Sequence, residues 1–387
     1  MRKIEIKKGI YWVGGIDWNL RSFHGYLTPK GSSYNAYLVV DEKIVLVDTV
    51  KHYLFDEMYG RIASLIDPAK IDYIICNHVE MDHSGSLPDL LKICKKAEII
   101  ASQNGEKGLL MHYDLDRPVH IVNTGDTVKI GKRSLAFVTM PMVHWPDSMA
   151  TYIPEEKLLL PNDAFGQHIA SCERFDDECE WAIIQREAAK YYANIVLPYG
   201  AQVRKALEAV SNLDVEMIAP SHGLIWRTHV KDIVRSYREW AEGRQANKAV
   251  IAYDTMWGST EKIAKAIYDV FEKKGMSASL LNLSGTHISD VMTEVLEAKY
   301  ICVGSPTLNN GMLPTVAAFL TYMKGLSPRN KTGLAFGSYG WGGQSVDQIE
   351  NILKETGFTL FEKIKAQYIP KENIISEIFE KLERSLL

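Results

Sequence analysis

Four potential metal ligands stand within six residues, and this cluster limits what the chain can fold into. The cluster is His78-Val79-Glu80-Met81-Asp82-His83, and only Asn77 separates it from the largely apolar residues 71–76. A strand that ends in such a cluster delivers its side chains to the edge of a sheet, where a cavity can open. Two neighbouring carboxylates repel each other unless a cation lies between them. The spacing therefore favours a metal site over a polar loop closed by residues 84–86.

Three further candidate ligands follow other apolar runs of strand length. They are His144, Asp163 and His222. A single histidine near the end of a strand is more often a hydrogen-bonded loop residue than a metal ligand. Because the same placement recurs, we predict that these three side chains join the first cluster in one metal site.

Composition indicates a cytoplasmic globular protein. The chain has 387 residues, of which 46% are hydrophobic and 24% charged, and its net charge of −4 gives no reason to expect nucleic acid or a membrane as a partner. No apolar run approaches the length of a membrane span, and the first five residues lack the apolar core of a signal peptide. The five cysteines include no Cys-x-x-Cys pair, which favours reduced thiols. An iron–sulfur electron donor would therefore be a separate protein.

The first part of the chain is rich in short β patterns. Residues 35–40 and 43–48 form a predicted hairpin. Further strands are predicted at residues 73–76, 98–101, 120–123, 135–139, 157–161 and 216–219, and helices at residues 54–66, 86–95 and 178–196. Segregated hairpins with surface helices favour a layered α/β sandwich over a wholly parallel sheet.

The pattern changes near residue 247, where we predict a domain boundary between residues 1–247 and 248–387. Strands are predicted after it at residues 249–253, 277–283, 300–304, 333–336 and 358–364, with helices at residues 261–274, 314–324, 344–355 and 372–386. Five strands interleaved with helices predict a flavodoxin-like doubly wound parallel sheet.

The ligand pattern resembles the metal motif of the metallo-β-lactamase superfamily, which reads His-x-His-x-Asp-His before a distant His, Asp and His. This chain has Glu80 in place of the second histidine. Four imidazoles and three carboxylates would leave two divalent ions with a net charge of about +1, and the added carboxylate supports the ferric state. Oxygen ligands also shift the preference from zinc toward iron or manganese. A redox-active metal pair therefore fits better than a hydrolytic zinc pair.

Over essentially its whole length the chain resembles the flavodiiron proteins. Four segments carry the resemblance: His78-x-Glu80-x-Asp82-His83, His144-Trp145-Pro146-Asp147-Ser148, Asn162-Asp163-Ala164-Phe165-Gly166-Gln167 and Ser221-His222-Gly223. The resemblance implies an N-terminal αββα metallo-β-lactamase-like sandwich. It also implies that one iron is held by His78, Glu80 and His144, the other by Asp82, His83 and His222, and that Asp163 bridges them.

Four other residues are candidates for a place near the same site. Asp48 ends a predicted strand and would support the ligands from behind, although a role as a turn residue is the alternative. Some flavodiiron proteins place residues like His24, Tyr191 and Tyr192 near the metal pocket. The sequence alone gives these three no more than the role of ordinary interior residues, so we leave them out of the predicted site.

Three loops of the second part follow predicted strands and together suggest a flavin site. Ligands bind at the carboxyl ends of strands in doubly wound sheets, and a helix N-terminus with hydroxyl groups suits a phosphate. The predicted FMN-binding residues are Thr255, Met256, Trp257, Gly258, Ser259, Thr260, Ser305, Pro306, Thr307, Leu308, Asn309, Asn310, Ser338, Tyr339, Gly340, Trp341, Gly342 and Gly343. A helix N-cap is the alternative role of the first loop. Its Met256 and Trp257 depart from the threonine-rich loop of flavodoxins.

The resemblance implies an oxidoreductase in which a rubredoxin-like donor passes electrons through FMN to two non-haem irons. That site would reduce dioxygen to water, nitric oxide to nitrous oxide, or both. It further implies a head-to-tail homodimer, or a tetramer built from it. The alternatives are a dizinc hydrolase fused to a flavodoxin domain, against which Glu80 argues, and a gas or redox sensor without turnover, for which no output module is recognisable.

Overall fold

The computed structural model describes residues 4–386, which fold into two compact units. The first comprises residues 4–24, 28–191 and 199–241, and the second comprises residues 25–27, 192–198 and 242–386. The outermost positions of the predicted domains, residues 1–3 and 387, lie outside the described residues. The division of the chain at residue 247 stays a prediction.

Residues 4–242 contain sixteen strands and seven α-helices. The strands, β1 to β16, are Ile4–Lys7, Ile10–Trp12, Gly15–Asp17, Ser22–Phe23, Tyr26–Leu27, Ser32–Tyr34, Tyr37–Val40, Ile44–Val47, Tyr73–Cys76, Glu98–Ala101, Val119–Ile121, Thr127–Lys129, Ser134–Thr139, Met149–Ile153, Leu158–Leu160 and Met217–Ile218. The helices, α1 to α7, are Phe55–Ala63, Met81–Ser84, Leu87–Ile93, Gln103–His112, Trp181–Tyr191, Gly200–Val210 and Val230–Glu242.

Two sheets form the centre of the first unit. One runs in the order β1-β2-β7-β8-β9-β10-β11 and the other in the order β12-β13-β14-β15-β16. Alternate side chains of their strands, such as Tyr37, Ile75 and Phe137, pack between the sheets, because successive residues of a strand point to opposite faces. Helices α1, α3 and α4 pack on the outer face of the first sheet, and α6 and α7 contact the second. The predicted αββα sandwich is confirmed.

The second unit is a parallel sheet with helices on both faces. Its strands β17 to β22 are Ala246–Tyr253, Ser277–Asn282, Ala298–Gly304, Thr332–Tyr339, Thr359–Leu360 and Ile364–Gln367, and its helices α8 to α12 are Ser259–Lys273, Ile288–Glu297, Pro314–Leu326, Gln344–Glu355 and Glu372–Ser385. The order β18-β17-β19-β20-β21, with β22 also paired to β20, is that of a flavodoxin-like doubly wound sheet. This prediction is also confirmed. None of the helices in residues 4–386 combines the length and the apolar character that a bilayer crossing requires.

Several elements differ from the prediction: strands β1 to β6 and β12 and helices α2, α4, α6 and α7 were not predicted, and four further differences are informative. The predicted fifth strand at residues 358–364 is divided into β21 and β22, each paired in parallel with β20. The predicted helix at residues 178–196 ends as an α-helix at Tyr191 and continues as a π-helix, Tyr192–Val196. Strand β14 was missed because all five of its residues are buried, which removes the alternation that marks a half-exposed strand. Helix α9, which provides the crossover between β18 and β19, was also missed.

Lys331 gives a test of how the second unit is held together. The Lys331 side chain is buried, and its Nζ donates to Leu296 O at 2.9 Å and to Ala298 O at 2.6 Å, where α9 ends. Lys331→Met keeps the aliphatic stem but removes both donors, so we expect the free energy of unfolding to fall by about 1–3 kcal/mol.

The matched control is Lys324→Met, because Lys324 forms an exposed ion pair with Glu355 and its loss should cost less than about 1 kcal/mol. Urea denaturation of both variants makes the comparison. Equal losses would show that Lys331 does not hold the end of α9.

Candidate functional site

The first ligand cluster occupies the turn between β9 and α2. The strand ends at Cys76 and the helix begins at Met81, so residues 77–80 cross the edge of the sheet. Ser84 Oγ donates to Val79 O at 2.6 Å and to Glu80 O at 3.1 Å, which closes the turn. The local sequence therefore fixes the backbone that carries this cluster.

All seven predicted metal ligands come together in the first unit. Their ligand atoms form two groups, within each of which all atoms lie within 4.8 Å of one another. We name the positions that these groups surround position A, lined by His78, Glu80 and His144, and position B, lined by Asp82, His83 and His222. Asp163 lies between them. The role of the seven residues as ligands stays a prediction.

The carboxylate of Asp163 faces both positions, one oxygen toward each. Oδ2 lies 3.5 Å from Nε2 of His78 and 3.3 Å from Nε2 of His144. Oδ1 lies 3.1 Å from Nε2 of His83 and 3.2 Å from Nε2 of His222. A carboxylate placed in this way can bridge two cations.

Several buried polar atoms of the site are left without hydrogen bonds. Within residues 4–386, no hydrogen-bond partner contacts either carboxylate oxygen of Asp82 or either ring nitrogen of His83. Burying a charged group without a partner is costly unless it is paired or coordinates a metal. The donor set therefore fits a pair of cations.

The carboxylates and imidazoles of the cluster shift one another's pKa values. Burial opposes ionisation of Glu80, but hydrogen bonds from His24 and His78 outweigh it and lower the Glu80 pKa to about 2. Burial likewise opposes protonation of His222, but the carboxylates of Asp163 and Asp82, which lie 3.2 Å and 3.4 Å from its Nε2, raise its pKa to about 10. The imidazoles and carboxylates thus attract one another across the positions that cations would occupy.

Asp147 is a functional candidate that the sequence did not single out. Its Oδ2 accepts hydrogen bonds from His78 Nδ1 at 2.9 Å and from the backbone N–H of Val79 at 2.8 Å. Asp147 lies within the segment that resembles the flavodiiron motif, but 69 residues separate it from His78 in sequence. Local spacing therefore carried no signal for this contact.

His24 is the second residue that sequence reasoning left out. Its Nε2 lies 2.6 Å from Glu80 Oε1, although the side chain is 57% exposed. Tyr191 is buried with its ring centroid 5.8 Å from that of His222, and Tyr192 is buried in the π-helix. The contact of His24 spans 56 residues and starts from a turn, where periodicity gives no information.

Asp48 supports the ligand-bearing loops from behind, as expected. Its Oδ1 accepts from Asn77 N at 2.8 Å, and its Oδ2 accepts from Asn77 Nδ2 at 3.2 Å and from Asn162 Nδ2 at 3.1 Å. Each asparagine directly precedes a predicted ligand, His78 or Asp163. Asp48 and Asn162 have φ angles of 58° and 55°, a left-handed conformation that asparagine and aspartate tolerate better than most residues.

The predicted flavin loops line a cavity of about 650 Å³ in the second unit. It lies at the carboxyl ends of β17, β19 and β20, where doubly wound sheets bind ligands. The lining residues within the predicted set are Met256, Trp257, Ser259, Pro306, Thr307, Asn309, Asn310, Ser338, Tyr339, Gly340, Trp341 and Gly342. Gln344, Tyr368 and Ile369 also line it; the last two follow β22, which the sequence prediction ended too early.

Two predicted FMN contacts lie behind the cavity wall. Thr260 and Ser305 are fully buried; the Thr260 hydroxyl lies 2.9 Å from that of Ser338, and Ser305 Oγ accepts from Leu313 N at 2.9 Å. Thr255, Gly258, Leu308 and Gly343 are also absent from the lining. Ser259 opens helix α8, so its hydroxyl stands at a helix N-terminus that faces the cavity.

Comparison with known proteins agrees with both units. Residues 33–223 match the family model described as ODP family beta lactamase, and residues 251–381 match the flavodoxin model. The nitric oxide reductase of Moorella thermoacetica is 47% identical over 384 residues, covering 97% of this chain and 96% of that protein. The rubredoxin-oxygen oxidoreductase of Megalodesulfovibrio gigas is 45% identical over 377 residues, covering 96% and 94%.

A solved structure gives the same result. The flavodiiron protein from Giardia intestinalis superposes with a TM-score of 0.96 at 34% sequence identity, covering 100% of this chain and 97% of that one. These similarities extend over both units and over nearly all of each relative. The chain belongs to the flavodiiron protein family.

Proposed function

We propose that this chain passes electrons from a rubredoxin-like donor through FMN to a non-haem diiron site that reduces dioxygen to water, nitric oxide to nitrous oxide, or both. The observation that carries the proposal is the position of Asp163, whose two oxygens face two separate groups of buried imidazoles and carboxylates. Relatives named nitric oxide reductase and rubredoxin-oxygen oxidoreductase support both the donor and the gases.

Seven residues would hold the two irons. His78, Glu80 and His144 would bind at position A, Asp82, His83 and His222 at position B, and Asp163 at both. Bound iron would supply open coordination positions at which a diatomic gas is polarised and reduced. The ligand shell is almost completely closed to solvent, since the side chains of His78 and His83 are 0% exposed.

His24 can hold a proton at the mouth of this site. The hydrogen bond with Glu80 raises the His24 pKa against the opposing effect of burial, so the imidazolium persists to higher pH than in a free histidine. Its Nε2 lies beside Glu80 Oε1, while more than half of the side chain contacts solvent. Because reduction of dioxygen to water consumes protons, such a group is well placed to deliver them.

The cavity of the second unit fits FMN. Ser259 at the start of α8 suits the phosphate, and the glycines of the loop after β20 let backbone amides approach a ring system. Bound FMN would supply storage for electrons that arrive singly, for a reaction that needs two or four.

A dizinc hydrolase fits these residues less well. Glu80 stands where the hydrolase motif has a histidine, and it lies 3.3 Å from His78 Nε2 and 3.6 Å from His144 Nε2, within the ligand group itself. An added oxygen ligand favours iron over zinc.

The five cysteines form no disulfide, which supports the proposed cytoplasmic location.

A head-to-tail homodimer is part of the proposal. Trp257 and Trp341 line the flavin cavity and are 92% and 93% exposed in the isolated chain. Large exposed aromatic side chains beside a cavity indicate a surface that a partner covers. A second copy, with its metal site at this surface, would bring one subunit's FMN beside the partner's irons.

Asp163→Ala should lose metal and gas reduction together while FMN stays bound. Asp163 is the one carboxylate in the seven-residue set that faces both positions, and loss of even an outer partner of a ligand costs about 10- to 100-fold in metal affinity or activity. Elemental analysis, the flavin absorbance spectrum and anaerobic assays with each gas make the test. Two irons per chain and full turnover in the variant would contradict the bridging role.

Glu80→His should shift the bound metal toward zinc. The change recreates the histidine-rich set of the hydrolase motif and removes one anionic oxygen ligand. The test is elemental analysis of the variant and the unaltered chain, expressed in parallel in zinc-supplemented medium. An unchanged ratio of iron to zinc would contradict the prediction that Glu80 selects a redox metal.

A mixing experiment tests the dimer. One variant lacks FMN because Ser259, which lines the cavity, is replaced by glutamate, and the other lacks iron because His83 and Asp163 are replaced by alanine. Heterodimers contain one working pair of sites if electrons cross between subunits, so partial gas reduction should return on mixing. Verified heterodimers without activity would mean that electrons stay within one chain.

A further inference from the structure

We propose that Asp147 makes the two metal positions unequal, so that position A binds a divalent cation more tightly than position B. The proposal rests on the proposed function only in requiring that both positions bind metal. It assigns to Asp147 a positioning role: the residue acts through His78 and is not itself a ligand.

The contact between Asp147 and His78 is buried and well defined. The side chains of Asp147 and His78 are 4% and 0% exposed, and Oδ2 lies 2.9 Å from Nδ1. Ser102 Oγ donates to the backbone oxygen of Asp147 at 2.7 Å, which fixes the loop that carries it. Because Nδ1 is engaged by Asp147, Nε2 is the ring nitrogen of His78 that would bind a cation at position A.

The histidines of position B have weaker partners. His222 Nδ1 lies 2.9 Å from the backbone oxygen of Ser33, which carries no net charge. The Nδ1 of His83 has no hydrogen-bond partner in the part of the chain that the structure describes. Asp48 interacts with His83 electrostatically, but its oxygens accept hydrogen bonds from Asn77 and Asn162. Within residues 4–386, therefore, no carboxylate accepts a hydrogen bond from the outer nitrogen of His83 or His222.

This difference has a direct chemical consequence. A carboxylate that accepts the outer N–H of a metal-binding imidazole fixes its tautomer and makes the inner nitrogen a stronger donor. Loss of such a partner costs about 10- to 100-fold in metal affinity. Position A should therefore fill first when metal is scarce.

Asp147→Asn removes the charge with little change of shape. Both hydrogen bonds of the side chain converge on Oδ2, so the amide oxygen of asparagine can accept both. Asp147→Glu keeps the charge and serves as the conservative variant. Thermal unfolding of the metal-free proteins checks that neither change disturbs the fold.

The test uses Co²⁺ and full-length variants in which only one of the two metal positions is intact. His83→Ala/His222→Ala keeps position A, and Glu80→Ala/His144→Ala keeps position B together with His78. Calorimetry and the visible absorption of Co²⁺ give the affinity and the ligand field without any assay of turnover. Adding Asp147→Asn should weaken binding about 10- to 100-fold at position A and less than about threefold at position B.

A stepwise titration of the chain with both positions intact provides a second measurement. Two Co²⁺ ions should bind in separate steps, and Asp147→Asn should bring the steps together, with partial recovery in Asp147→Glu. Equal weakening at both positions, or none at either, overturns the role of Asp147 and leaves the proposed function intact. Unequal Co²⁺ sites in a protein that reduces neither gas would support Asp147 and contradict the proposed function instead.

Discussion

The carboxylate of Asp163 is the interaction on which the rest of the metal site depends. It lies at the point where two groups of buried imidazoles and carboxylates meet, and each of its oxygens faces one of them. So much buried charge is unfavourable unless it is paired or coordinates a metal. Such a site lowers the stability of the protein without cations. In return, its side chains are already placed so that two cations can bind without rearrangement.

Hydrogen bonds around the site hold the ligand-bearing loops in place against the repulsion between the buried carboxylates. Asp48 joins the loops before His78 and before Asp163 through two asparagines, and Ser33 holds His222 through its backbone oxygen. Asp48 and the two asparagines lie in loops that follow β8, β9 and β15 of the two sheets, whose shared core is apolar and buried. The rigid sandwich therefore fixes the distance between the two metal positions, while the ligands themselves come from loops.

The sequence predicted those parts of the molecule that local rules determine. Strand β9 was predicted at the residues where it occurs, and the seven candidate ligands were found because they recur at strand ends. His24 and Asp147 were missed or set aside because their contacts with Glu80 and His78 span 56 and 69 residues. Tyr368 and Ile369 were not predicted to line the cavity for another reason. The strand predicted at residues 358–364 is interrupted between β21 and β22, and β22 continues to Gln367, beyond the apolar run on which the prediction rested.

The left-handed backbone conformation at Asp48 and Asn162 limits the amino acids that can occupy these two positions, in evolution or in a mutant library. Both residues must combine a positive φ angle with a side chain that reaches across the loop, and few amino acids do both. Glycine would accept the conformation but lose the hydrogen bond, whereas a β-branched residue would be strained as well. Positions that bind no metal can thus tolerate as little substitution as the ligands do, for reasons of backbone geometry.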